Sequence, residues 1–407
     1  MTDCDSSRNN ILLAQYPPAR ITAASRPTQD PVFYYKYNII VLSVGGNLFR
    51  VCPSFLAPDP GIQDYELKSY MKSAFDLSTN SSNNAGFNDK DPIVLPPNIS
   101  VETVRDLLTV SSGGVGNHEF IELLSGLNHS YRHNPELIYR LSKIGYLADQ
   151  FGIRKLDDWA QSKIDQIFRF SMSRLTGEGN WNTAIVKQLM KHMQKTSLKS
   201  YRGSILHRMR LIISNLVCKA YDCPDESKDL SDHTIIAICA DLYTEKDLLV
   251  NTPDMFGFIF SVVLSLGHRS RVWTRLTREE RRVLYAGNST LVQLCDHTDL
   301  GINWLLEPSE ILEIFKDCSN CRNPSNINKW WSDTFGRCQG LNSPIPSEDI
   351  RYIVRLPEYR YSISWASKSQ PWLPCGSKCI HALRTYIDEH MEALYCALAK
   401  KYRYLEE

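Results

Sequence analysis

The amino-acid sequence predicts an α+β protein with three parts: a small N-terminal α/β module, a mainly helical region, and a cysteine-bearing C-terminal region. Three observations carry that expectation. The stretch IIVLSVGGNLFRV, Ile39 to Val51, sets a Gly-Gly pair between two apolar, β-branched runs, the pattern of a two-residue hairpin whose central residues need positive φ. Apolar residues then recur at helical spacing over most of the following chain. From Asp317 onward the composition shifts to Trp, Tyr, Pro and clustered Cys.

A phosphate loop is the competing reading of Gly45-Gly46. It would need a helix after the glycines, so that backbone amides meet the anion, and a following G-K-[ST]. Asn47 to Val51 read as a second strand instead, so the pair is a turn. The chain has 407 residues, a formal net charge of +1 and 43% hydrophobic residues, the balance of an ordinary soluble globular protein with two or three cores. Its N-terminal MTDCDSSRNN lacks a basic-then-apolar signal, and its longest nearly apolar run, Met255 to Gly267, is too short to cross a bilayer. The expected location is the cytoplasm or nucleus, without membrane contact. The twelve cysteines are then expected to be thiols or metal ligands rather than disulfides.

Residues 1–35, rich in Ser, Asn, Thr and Pro, are expected to form a loose, disordered arm. After the hairpin, Pro58 and Pro60 break the chain into a short helical turn and a helix from about Gln63, with Tyr65, Tyr70, Met71 and Phe75 on its apolar face. PIVLPP reads as a short buried strand, and ISVETVRDLL as a helix that Ser100 can cap. SSGGVGNHEF is a connector, and HEFIELLSGL inside the long Ser111–Asn134 segment reads as an added amphipathic helix. A helix pair follows, with Leu137, Leu141, Ile144 and Ala148 on one stripe, a stop at Gly152, and Leu156, Trp159, Ile164 and Ile167 on the next.

These elements together carry a resemblance. A hairpin ending FRVCPSFLA, a helix, a PIVL strand, a helix ending DLL, and a helix pair reading LSKIGYLADQFGIRKL resemble the BTB/POZ domain, most of all the divergent versions numerous in fungi. The resemblance covers about Tyr37 to Phe168, so residues 36–170 are taken as the domain. It implies a small sheet flanked by helices and a role in dimerisation and partner docking, with Phe49, Phe55, Leu56, Tyr65 and Met71 as candidate dimer-contact or core residues. Two positions depart from the family pattern. Asn38 stands where an Asp is common, and Phe49, Arg50, Val51, Cys52 and Pro53 stand where FxxH and a basic residue are common. The charged pocket of co-repressor-binding members is therefore not expected here.

Residues 171–316 read as helical, with Pro224, Pro253 and Pro308 at helix boundaries. Between Lys187 and Lys219 the chain carries eight Lys or Arg and no Asp or Glu. Lys187, Lys191, Lys195 and Lys199 recur at i, i+4 spacing and so form a candidate anion-binding helix face; the plainer reading is a solvated surface, since no aromatic residues alternate with the lysines to stack bases. In residues 317–407, Cys318 and Cys321 (C-x₂-C) with Cys375 and Cys379 (C-x₃-C) are candidate ligands of a structural zinc, because each short loop lets two sulfurs converge on one ion. Cys338 and His381 are substitutes. The plainer reading is unlinked thiols.

Catalytic motifs do not assemble. HEFIE lacks the second His of a zinc helix, GNSTL lacks the second glycine of a nucleophile elbow, and Cys52 has no His near it in sequence. CDHTD, Cys295 to Asp299, reads as a turn. The expectation is a non-enzymatic interaction protein with no certain cofactor: a homodimeric adaptor or scaffold, with a cullin ubiquitin ligase as one partner. The alternative is a transcription or chromatin factor that contacts nucleic acid through residues 187–219.

Overall fold

A seven-residue strand, β1 (Thr28–Tyr34), lies inside the stretch expected to be a loose arm. The computed structural model describes residues 28–35, 39–75, 86, 88–113, 117–177, 180–196, 199–222, 235–291, 294–306, 309–315, 318, 331, 350–369 and 377–407. β1 was not anticipated because its apolar positions do not alternate; only Asp30 and Phe33 are buried. The Asp30 carboxylate accepts hydrogen bonds from the amides of Val32 and Phe33, each at 3.0 Å, and Pro31 has no amide to offer. That local bonding shifts the register between Gln29 and Tyr34, where β1 runs parallel to β3 (Asn47–Val51).

The hairpin forms as expected. Gly45 and Gly46 take φ of +53° and +80°, the sign a two-residue turn of this kind needs. β2 (Ile40–Val44) pairs antiparallel with β3, setting Ile40 opposite Val51 and Leu42 opposite Phe49. β4 (Ile93–Val94) adds parallel to β2, so the sheet order is β1-β3-β2-β4. Ile40, Val41, Leu42 and Val44 are all buried, which explains a continuous apolar run instead of an alternating one. On β3, Arg50 donates to Asp89 at 2.9 Å and covers the Tyr34 ring at 4.4 Å, and this guanidinium holds the Asp89 carboxyl below its ordinary value.

By contacts the chain divides into two units, Met1–Pro53 with Tyr70–Val101, and Ser54–Ser69 with Glu102–Glu407. The first contains the sheet. The expected helix from Gln63 starts later, at Lys68, as α1 (Lys68–Phe75). Residues before it bond to the turn near Gly152 instead: Asp59 donates its amide to Gly152 O, Leu67 to Gln150 O, and the Asp59 carboxylate accepts from the Lys155 amide. Those bonds compete with helix formation. Met71 is buried as expected, whereas Tyr70 is largely exposed.

The second unit is helical. α2 (Val101–Ser112) is followed by the added helix, α3 (His118–Asn128), which Asn117 caps by accepting from the Phe120 amide. α4 (Pro135–Gln150) starts with a proline in its first turn behind the Asn134 cap and stops at Gly152, whose φ is +75°. α5 (Arg154–Gly177) runs through residue 170, and α4 packs on both α5 and α6 (Thr183–Lys195). The division expected at 170 therefore falls inside one packed body. α7 (Lys199–Asp222), α8 (Ile235–Tyr243), α9 (Lys246–Asn251) and α10 (Pro253–Leu266) follow, then α11 (Arg271–Thr274), α12 (Arg278–Thr290), α13 (Asn303–Leu306) and α14 (Ser309–Phe315). Two long helices complete it: one over Ile350–Ser369, which contains Pro357, and a C-terminal helix over Ser377–Glu406.

α10 is the centre of this unit. Every residue from Asp254 to Leu264 is buried, which is why its sequence is apolar all round. It packs on the C-terminal helix and on the Pro357 helix, so the division expected at 316 does not separate compact bodies either. Gly257 makes the approach to the C-terminal helix: a Cβ there would lie 1.8 Å from the Tyr395 carbonyl oxygen. Beside it, Phe256, Phe260 and Tyr243 pack around Tyr402, with ring centroids 4.8, 5.5 and 5.7 Å away. Pro357 cannot donate to Ile353 O, as a helical residue four positions on would. The buried Tyr395 hydroxyl donates to that carbonyl instead, at 3.0 Å, and Ser214 donates to Val354 O at 2.6 Å.

Two substitutions test this packing by urea denaturation. Gly257→Ala should cost about 3 kcal/mol, because the added methyl meets backbone that cannot rotate away. Tyr395→Phe should cost about 1–2 kcal/mol, the loss of one bond to a buried carbonyl.

Candidate interaction surface

The helix α5 breaks at Ser171, where φ is −131° and ψ is 22°. The break is pinned from below. The Ser171 hydroxyl lies 2.7 Å from His133 Nδ1, and His133 Nε2 lies 3.0 Å from Leu127 O. With its proton on Nε2, the imidazole donates to that carbonyl and accepts from the serine. Ser171 Oγ is also 3.3 Å from Ser130 O, and Arg174 donates to the carbonyl of Tyr131. A 3-10 turn over Ser130–Arg132 is thereby fastened to the break in α5. A Ser–His contact suggests a nucleophile and its base, but Ser171 and His133 are only 4% and 2% exposed. Their bonds hold two chain segments together, which accounts for both side chains.

What the pin presents is aromatic and cationic. Tyr131 is 60% exposed and Phe170 is 66% exposed, the one on the fastened turn and the other next to Ser171. Arg132 lies over the Tyr131 ring at 5.8 Å, and the His129 ring is 5.3 Å from it. Ser125 ties both flanking groups to α3, as Arg132 donates to its hydroxyl and His129 contacts its carbonyl. A cleft of about 470 Å³ opens alongside, lined in part by His133, Glu136, Arg174 and Asn182. Large rings with few rotatable bonds, held beside arginines, are the composition of energetic centres in protein interfaces. Sequence reasoning placed an added helix here but missed the surface. The signal was Phe168-Arg169-Phe170: residues two apart on a helix do not share a face, so with Phe168 in the core Phe170 points away.

The residues singled out from the sequence fall elsewhere. Phe49, Leu56 and Met71 are fully buried and belong to the core rather than to a contact surface, while Phe55 and Tyr65 are half-buried. The four lysines do not share one helix. α6 ends at Lys195 with Thr196 as its cap, and Lys199 opens α7; the Lys199 side chain lies outside the described residues. Lys187 pairs with Glu245 at 2.7 Å and Lys195 with Glu66 at 3.0 Å, while Lys191 is exposed. The i, i+4 pattern of lysines ran on past the end of α6 at Lys195, which no apolar signal marked.

Cys318 and Cys379 are half-buried, and His381 is exposed; Cys321, Cys338 and Cys375 lie outside the described residues. Among the described residues no group of three or more metal-ligating side chains converges. Near CDHTD, His297 contacts Thr290 O and Lys401 stands 3.7 Å from Asp299, around two 3-10 turns. No described helix is long and apolar enough to cross a membrane. No family model matches the chain, no curated protein resembles it closely enough to count as a relative, and no solved structure matches it.

Proposed function

We propose that this chain is a non-enzymatic protein-interaction module, an adaptor or scaffold whose BTB/POZ-like N-terminal part self-associates. The observation that carries the reading is the pinned surface of Tyr131, Phe170, Arg132 and Arg174, since solvent-exposed rings on a rigid break are costly to leave uncovered. The order of hairpin, α1, parallel strand β4 and the α4–α5 pair supports the BTB/POZ-like assignment, being the order the resemblance leads one to expect. Both sheet edges are poor templates for strand addition. β1 carries a proline and a register shift, and β4 is two residues long, with Pro92 just before it and Pro96 two positions after it. Self-association would therefore use side chains rather than a shared sheet. A cullin is the proposed partner class for an adaptor of this kind. Nucleic-acid contact through residues 187–219 is the alternative, favoured only by the local excess of basic residues.

Affinity purification of the full chain from its own cells, with mass spectrometry, tests the reading. The double variant Tyr131→Ala, Phe170→Ala should lose the principal co-purifying protein at least tenfold and keep the wild-type melting temperature, because both rings are exposed. Unchanged recovery with the variant would remove the surface from the account. Salt-dependent retention on nucleic acid, with no protein recovered, would favour the alternative.

A structural zinc on Cys318, Cys321, Cys375 and Cys379 belongs to the same proposal. Metal analysis of purified protein should give one zinc per chain, lost when Cys318 and Cys375 are replaced together. A metal-free, folded protein would end it.

A further inference from the structure

The outer face of α12 carries a pattern that the interaction surface above does not use. Helical spacing puts Arg278, Arg281, Arg282 and Tyr285 on one face, because residues three, four and seven apart stand above one another. Val283, Leu284 and Gly287 are buried on the other side. Arg278 and Arg282 are exposed, and Arg281 is half-buried. The two acids of this helix fall outside that face by the same spacing. Glu280 is also bound into the helix cap, where it accepts from the Thr277 amide at 2.7 Å.

The segment that leads from α10 into α11 reaches the same face. The His268 ring lies 6.4 Å from the Tyr285 ring, and Trp273 of α11 stands edge-on to it at 5.2 Å. Trp273 is itself fixed, being buried and donating its indole N–H to Val263 O at 2.7 Å. Tyr285 is therefore braced from within while 53% of it stays exposed. Arg269 and Arg271 follow His268 and are exposed as well. Residues 269–282 thus hold six arginines, no lysine and two acids. Arg275 pairs with Asp241 at 3.4 Å. Among the described residues no carboxylate pairs with Arg269, Arg278, Arg281 or Arg282. Arg281 and Arg282 donate instead to the carbonyls of Thr277 and Glu406, which are neutral partners and leave the charge uncompensated.

Charge and ring together define the ligand. Guanidinium groups present planar, weakly hydrated forks of donors that match phosphate oxygens two at a time. A braced, exposed ring among them offers a face on which an unpaired base can stack. A run of carboxylates would meet the charge but not the ring, and a duplex keeps its base faces stacked out of reach.

We propose that the Tyr285 face of α12, with the Arg269 segment beside it, binds single-stranded nucleic acid. The phosphates lie along Arg269, Arg278, Arg281 and Arg282, and a base stacks on the Tyr285 ring. Neither contact reads the 2′-hydroxyl, so RNA and DNA are bound alike. The surface is separate from residues 187–219, the stretch named above as the alternative nucleic-acid contact. Fluorescence anisotropy of the full chain with labelled uridylate and thymidylate oligomers of about 12 nucleotides tests the assignment. Salt is varied from about 50 to about 200 mM, and four phosphate contacts predict a log–log slope of about −3. Arg278→Gln should reduce the magnitude of that slope by about 0.7. Tyr285→Ala should weaken binding about tenfold with the slope unchanged, and Tyr285→Phe should bind as the wild type does. Lys191→Gln should leave the affinity within about twofold. A duplex of the same length, or oligoglutamate of the same charge, should bind at least about tenfold more weakly. Should Tyr285→Ala fail to fold, the exposed Arg278→Gln decides through the slope. No binding at the lowest salt, an affinity that Tyr285→Ala in folded form leaves unchanged, or tighter binding of duplex or oligoglutamate would each overturn the proposal. Loss of affinity on Lys191→Gln, with Arg278→Gln silent, would place the contact on residues 187–219 and overturn it as well.

Discussion

The helical unit depends on one close approach, that of the C-terminal helix to α10 at Gly257 and Tyr395. With no side chain at Gly257, the backbone of the other helix comes near enough for the rings on both sides to interlock. Tyr395 then serves three elements at once. Its ring packs on Phe258 at 5.2 Å, its hydroxyl satisfies the carbonyl that Pro357 leaves open, and Arg210 of α7 lies over its face at 4.9 Å. The same arginine is ion-paired with Asp254 at the start of α10, and both are buried. A buried guanidinium without its carboxylate would be strongly destabilising, so the helix contact and the ion pair stand or fall together.

Polar groups elsewhere are buried by the same logic, each closing a junction between helices. His192 Nε2 meets Asp157 at 2.6 Å, Gln161 donates to the other Asp157 oxygen at 2.7 Å, and Gly145 leaves the space the imidazole fills. That set joins α4, α5 and α6. His133 and Ser171 do the same for the turn before α4 and the break in α5. A junction locked by directional bonds holds its surface residues in one arrangement, and a rigid Tyr131 and Phe170 lose less entropy on meeting a partner than mobile ones. The proposed interaction role rests on that stiffness as much as on the exposure.

Much of the fold was legible where the signal is local. The Gly45-Gly46 turn, the added helix α3, the stop at Gly152 and the start of α10 at Pro253 each follow from a residue whose backbone preference acts within a few positions. Elements set by distant partners were not legible. β1 depends on β3 for its pairing and on Asp30 for its bend, and residues 59–67 forgo a helix because the amides of Asp59 and Leu67 donate to the carbonyls of Gly152 and Gln150. Periodicity also overran the break after Lys195, since lysines at i, i+4 carry no information about where a helix stops. Of the sites, Phe49, Leu56 and Met71 were legible as apolar candidates for the core or a dimer contact, and they lie in the core, whereas Tyr131 and Phe170 become visible as a surface only when segments apart in sequence are brought together.

Hydrogen exchange on the full chain, followed amide by amide, tests the central dependence most directly. If the Gly257–Tyr395 approach holds the unit together, the amides of α10 and of the C-terminal helix should share one opening free energy and respond equally to urea. Exchange of the C-terminal helix at much lower free energy, with α10 still protected, would show that the helix is an independent appendage and would contradict the account.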